Sequence, residues 1–133
     1  MKNLLLIFSI FAVLISFSNE STAQETPTEP TLMVVKFHAD WCGKCRALGP
    51  ALTDLTNKMD GEPVLFTQLD FTNNSTEHQS KLLGSALGIQ NIVDENYGTG
   101  FLLVIDSKTK EVKARLTHNQ TVTEMTNKIN SFL

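Results

Sequence analysis

The chain predicts an α/β domain, a central mixed sheet flanked by helices in the order β-α-β-α-β-β-α. Three observations carry that expectation. The apolar, β-branched run Leu32 to His38 precedes a stretch with helical spacing, and a second such run, Val64 to Phe71, follows it. A strand, a crossover helix and a strand make a parallel pair with a right-handed connection. Phe101 to Ile105 is continuously apolar, as in a strand covered on both faces, and across the turn Asp106 to Lys110 the alternating Val112 to Leu116 completes an antiparallel hairpin. Composition agrees: 133 residues allow one domain, and 41% hydrophobic with 19% charged residues is ordinary for a globular chain.

The N-terminus is set apart. Lys2 is followed by the apolar stretch Leu4 to Phe17, then by polar Ser18 to Gln24, with Ser21 and Ala23 at the −3 and −1 positions of a cut before Gln24. This is the pattern of a secretory signal peptide, residues 1–23. The competing reading is an uncleaved anchor, but about 14 apolar residues are short for a span of roughly 20. Residues 24–30 are polar and contain two prolines, so they form a flexible spacer, and residues 31–133 form the domain. The expected location is exported, periplasmic or secreted, with no stable membrane span after cleavage. The formal charge of −3 leaves no basic footprint for nucleic acid.

Within the domain, the first helix runs from about Cys42 to Met59 and places Cys45, Leu48, Leu52, Leu55 and Met59 on one stripe. Pro50 lies inside it, where a missing N–H favours a kink. Asn74-Ser75-Thr76-Glu77 resembles a capping box and opens a second helix to about Leu87, with Leu82, Leu83, Ala86 and Leu87 as its buried face. Ile89, Ile92 and Val93 suit a helical turn, and Asp94 to Gly100 a loop. Thr121 to Glu124 is a further capping box, and Val122, Met125, Ile129 and Phe132 give the last helix its apolar face.

Cys42 and Cys45 are the only cysteines. Cys42 stands where a strand delivers the chain to a helix N-terminus, and the free N–H groups and dipole there favour a thiolate. Cys45, one turn on, is close enough to close a Cys42–Cys45 disulfide and belongs to the buried stripe. That leaves Cys42, at an exposed helix end, as the sulfur a protein substrate can meet. Lys44 adds positive charge between them. His38, just before the site, suits either a packed strand histidine or a residue tuning Cys42 or joining a metal. His78 and His118 suit exposed positions. A structural zinc site needs four ligands and only Cys42, Cys45 and His38 offer themselves, so no metal is expected.

Val34 to Arg46, with Trp41-Cys42-Gly43-Lys44-Cys45 at its centre, and Pro50 resemble the thioredoxin family, and so does the element order over residues 31–133. The resemblance implies a thioredoxin-like fold in which Cys42 attacks a substrate disulfide and Cys45 resolves the mixed disulfide. Trp41 is then an apolar surface beside the site, against the plainer alternative of a core aromatic. Three departures stand out. Lys36 occupies the place of the family's buried aspartate; its amine either stabilises the thiolates or its stem lies along apolar surface with the amine in water. Thr99-Gly100 precedes the third strand where the family has a cis-proline, and Gly100 can supply unusual backbone geometry. The segment Thr72 to Gly100 is longer than in a minimal member, and the usual first strand and helix are missing.

The expected function is an exported thiol–disulfide oxidoreductase, monomeric and without a bound cofactor, acting on protein thiols and disulfides and served by a redox partner the sequence does not name. Its alternatives are a non-catalytic thioredoxin-like binding module with a structural disulfide, and a metal-handling CxxC domain.

Overall fold

The structure, a computed structural model, describes residues 29–133. The signal-peptide assignment, and the spacer up to residue 28, lie outside the described residues. Eight elements follow in order: β1 (Leu32–His38), α1 (Gly43–Lys58), β2 (Val64–Asp70), α2 (Asn74–Ala86), α3 (Gln90–Glu95), β3 (Phe101–Asp106), β4 (Val112–Thr117) and α4 (Val122–Asn130). The strands lie in the order β2-β1-β3-β4. β1 runs parallel to β2, with Leu32 opposite Val64 and His38 opposite Asp70, and antiparallel to β3, with Phe37 opposite Phe101. β3 and β4 form the expected antiparallel hairpin.

Strand alternation divides the core into two. Leu32 and Val34 of β1 point to the face covered by Leu48 and Leu55 of α1 and Met125 and Ile129 of α4. Met33, Val35 and Phe37 point the other way, against Ile89, Ile92 and Val93. A strand buried on both faces reads as a continuous apolar run, and that is why β1 and β3 stand out in the sequence. Among the described residues no helix is long and apolar enough to cross a membrane.

Two expectations for α2 need correcting. Its cap is Asn73, one residue early: Asn73 Oδ1 accepts from the N–H groups of Ser75 and Thr76 at 2.9 and 3.1 Å, and Thr76 Oγ1 accepts from Asn73 N–H at 3.1 Å. Glu77 instead pairs with Lys81 at 2.7 Å. Nor do the leucines form the buried face, since Leu82 and Leu83 are 59% and 38% exposed and Ala86 is exposed, with only Leu87 partly buried. Ser80 and Gly84 are the buried residues. Ser80 Oγ accepts from Asp70 N–H at 2.6 Å and donates to Asp70 carbonyl at 2.8 Å, fastening the helix to β2 through a small side chain. Gly84 lets α3 approach, because a Cβ there would lie 2.9 Å from Val93 Cγ2. The segment after Ile89 also holds more helix than expected, as Asp94 and Glu95 belong to α3.

These glycines set up a contrast. Gly84→Ala should lower stability by roughly 1–2 kcal/mol through overpacking. Gly43→Ala, in the first turn of α1 with nothing within 4 Å of its Cβ position and no proline after it, should raise it by about 0.5 kcal/mol. Urea unfolding of the two variants checks this, and equal stabilisation by both would contradict the packing of α2 on α3.

Candidate active site

β1 ends at His38, a turn closes with Cys42 N–H donating to Ala39 carbonyl at 3.1 Å, and α1 begins at Gly43. Cys42 is therefore the N-cap, in extended conformation at φ −86 and ψ 111. Its Sγ accepts from Cys45 N–H at 3.1 Å, the bond a serine or aspartate oxygen makes at other helices. Cys45 lies beneath, its thiol donating to Phe37 carbonyl at 3.7 Å. Both are free cysteines, so the structure presents the dithiol form.

The exposed position expected for Cys42 is a correction. Cys42 is 8% exposed and Cys45 1%, because the Thr99-Gly100 loop covers the pair. Gly100, at φ 88, donates its N–H to Phe37 carbonyl at 2.8 Å, the same carbonyl that receives the Cys45 thiol. A Cβ on Gly100 would lie 3.2 Å from Cys42 Sγ and 2.6 Å from Lys44 Cβ. Glycine is thus required twice, by its backbone and by the space. The loop meets the cysteines from the side where the family resemblance puts a proline, with every peptide among the described residues trans.

The two thiols are shifted in opposite directions. Burial works against the Cys42 thiolate, but hydrogen bonds outweigh it, from the Cys45 thiol, whose one proton turns from the Phe37 carbonyl to Cys42 once that sulfur is charged, from the Thr99 hydroxyl, and from the N–H groups of Cys45 and Lys44, and the Cys42 pKa falls below that of an ordinary thiol. Burial first, and the thiolate of Cys42 second, push the Cys45 thiol up, opposed by Ala39 N–H and the Thr99 hydroxyl. Such a pair loses its protons in two steps that belong to the pair, with the first charge on the more accessible sulfur.

Lys44 acts on this thiolate through its backbone N–H, its side chain lying against Gly100. Gly43 is exposed, and its Cβ position is open. Lys36 is 6% exposed, on the strand face of Leu32 and Val34. It makes no ion pair among the described residues, its amine is not one of the fully buried unpartnered atoms, and it contributes to neither cysteine shift. Pro50 is on the exposed side of α1, which continues through it. His38 Nε2 lies 3.1 Å from Asp40 Oδ1. His78 and His118 are exposed. Among the described residues no group of three or more His, Cys, Asp and Glu side chains could hold a metal ion.

Trp41 is 64% exposed and fixed from an unexpected quarter: its Nε1–H donates to Thr72 carbonyl at 3.1 Å, and Thr72 Oγ1 accepts from Asp40 N–H at 3.0 Å. Thr72 is held by Asp70, whose carboxylate accepts Thr72 N–H at 2.8 Å and the Thr72 hydroxyl, and these bonds keep the Asp70 pKa low. Sequence spacing offers no signal for a partner 31 residues away. Trp41, Phe71, Val93, Tyr97 and Thr99 line a cleft of about 280 Å³ beside the cysteines.

An N-cap cysteine over a buried partner, on a four-stranded mixed sheet with helices on both faces, defines a dithiol–disulfide site of the thioredoxin type. The Thioredoxin family model matches residues 13–84, more than half of the chain, and the chain belongs to that family. It is 33% identical over 87 residues to the mitochondrial thioredoxins of Mus musculus and Rattus norvegicus, covering 62% of this chain and 49% of theirs. A stretch of 57 residues is 40% identical to protein disulfide-isomerase 1 of Caenorhabditis elegans, covering 42% of this chain and 11% of that one. The chain spans about half the length of the mitochondrial thioredoxins it matches. A mutant thioredoxin from Halobacterium salinarum NRC-1 superposes with TM-score 0.50 at 20% identity, over 79% of this chain and 77% of that one. The Schistosoma mansoni thioredoxin pre-protein does so with 0.50 at 19%, over 79% and 82%. At these identities the structural likeness bears on the fold alone.

Because the Cys42 thiolate is stabilised, its alkylation by iodoacetamide should set in at lower pH than for a free thiol. Cys45→Ala removes the S–H donor and should move that midpoint upward, whereas Cys45→Ser keeps an O–H donor and should stay nearer the native value. Identical profiles for all three proteins would show that Cys45 does not hold the charge.

Proposed function

We propose that the chain is an exported thiol–disulfide oxidoreductase that exchanges disulfides with protein substrates through Cys42 and Cys45. The observation that carries this reading is the N-cap bond from Cys45 N–H to Cys42 Sγ, set above a second thiol that keeps its proton. Membership of the thioredoxin family and the similarity to a protein disulfide-isomerase support it. The signal-peptide pattern of residues 1–23 supports export.

In the reducing direction, the Cys42 thiolate attacks one sulfur of a substrate disulfide. The Cys42–substrate bond forms as the substrate S–S bond breaks, and the other substrate sulfur departs as a thiolate. Cys42 then carries no charge and no longer raises the Cys45 pKa, while Ala39 N–H and the Thr99 hydroxyl still favour the Cys45 thiolate. Cys45 gives its proton to the departed substrate thiolate and attacks Cys42 Sγ; the Cys42–Cys45 disulfide forms as the Cys42–substrate bond breaks, and the second substrate sulfur leaves as a thiolate. Two electrons pass from the pair to the substrate. Run backwards, the same steps oxidise a substrate dithiol.

Blocking the second step isolates the first. Produced in a secreting bacterium, Cys45→Ser should accumulate as mixed disulfides with exported proteins, joined through Cys42 and released by dithiothreitol, and the trapped chain should begin at Gln24. Cys42→Ser should trap nothing. Absence of adducts would support the binding-module alternative, and adducts confined to a full-length cytosolic chain would overturn export.

A further inference from the structure

A second, smaller cleft flanks Cys42 on the β3–β4 side. It measures about 120 Å³ and is lined by Lys44, Thr99, Gly100, Phe101, Arg115 and His118 among others. Gly100 ties it to the nucleophile, since a single Cβ on that residue would contact both Cys42 Sγ and the Lys44 side chain. The cleft therefore opens within one residue's width of the reacting sulfur.

Its charge sets it apart from the rest of an acidic chain. The Arg115 guanidinium lies 3.5 Å from the centroid of the Phe101 ring, and Phe101 is 2% exposed. A guanidinium placed over a ring face can still offer its N–H edge to a carboxylate. The ion pairs that lysines and arginines make among the described residues join Lys81 to Glu77 and Lys113 to Glu111. Neither Lys44 nor Arg115 takes part in one. Two cations without acidic partners among the described residues, one of them set over the Phe101 ring, thus line the cleft that adjoins Cys42. The cleft on the opposite flank differs: Asp94 lies there with Trp41 and Tyr97, and its lysine, Lys81, is already paired with Glu77.

We propose that the β3–β4 cleft is a carboxylate subsite, selecting substrate disulfides with an aspartate or glutamate beside the reactive cysteine. The proposal rests on the oxidoreductase reading above. A substrate carboxylate approaching the Cys42 thiolate is repelled by it, and Lys44 and Arg115 offset that repulsion where it is strongest. On the opposite flank the same carboxylate would face Asp94, so the two clefts together give the substrate segment a direction.

The test uses the reduced full-length domain and three disulfide-linked peptide dimers that differ only in Glu, Gln or Lys beside the cysteine. Each rate of reduction is divided by the rate with dithiothreitol, removing the effect of the neighbour on the peptide's own sulfur. At low salt the Glu peptide should react roughly three- to tenfold faster than the Gln peptide, and the Lys peptide slowest. The preference should shrink as salt is raised. It should fall towards one in Arg115→Gln and in Lys44→Gln, both exposed positions. Equal rates for the three peptides, or a Glu preference unchanged in both variants, would overturn the subsite and leave the oxidoreductase reading standing. Failure to reduce any of the peptides would overturn both.

Discussion

The hydrogen bond from Cys45 N–H to Cys42 Sγ, 3.1 Å long, is the constraint on which the site depends. It exists only because β1 ends, turns through Ala39-Asp40-Trp41 and becomes a helix at that point. The helix must point its first turn at the sulfur, so Cys45 comes to lie beneath it, in contact with the carbonyl of Phe37. That carbonyl also receives Gly100 N–H. One backbone oxygen in the central strand thereby joins the helix that Cys42 caps, the Cys45 thiol and the loop that covers both.

The two thiols divide the chemistry because their surroundings differ in small ways that add. Both are buried, and burial alone would raise both pKa values. Cys42 escapes through donors that converge on it, while Cys45 bears the cost of sitting beside a charge. The division lasts only until Cys42 forms a bond to another sulfur. In the proposed exchange, removal of that charge then favours ionisation of Cys45, so the electrostatics would set the order of the two steps.

Much of this was legible in the sequence where the signal was local. The bounds of β1, the hairpin, the Thr121 capping box and the stripe Cys45, Leu48, Leu55 all rest on periodicity or on capping residues a few positions apart, and the structure reproduces them. Hydrophobicity misled where packing is done by small or polar groups, as at Ser80 and Gly84 of α2. It also missed the covering of Cys42, because the cover is a threonine and a glycine far along the chain. Thr72 and Arg115 were invisible for a related reason. Each acts on a residue brought near by sheet topology, Thr72 on Trp41 and Arg115 on Phe101, and no spacing rule joins them.

The equilibrium reduction potential of the Cys42–Cys45 pair, measured against a glutathione or dithiothreitol buffer, tests the central claim most directly. A stabilised Cys42 thiolate stabilises the reduced form, so the account predicts a working redox couple, between about −270 mV, the value of thioredoxin, and about −120 mV, that of a strong oxidant. A potential below roughly −300 mV would mark a structural disulfide that exchange partners cannot open. That result would contradict the account.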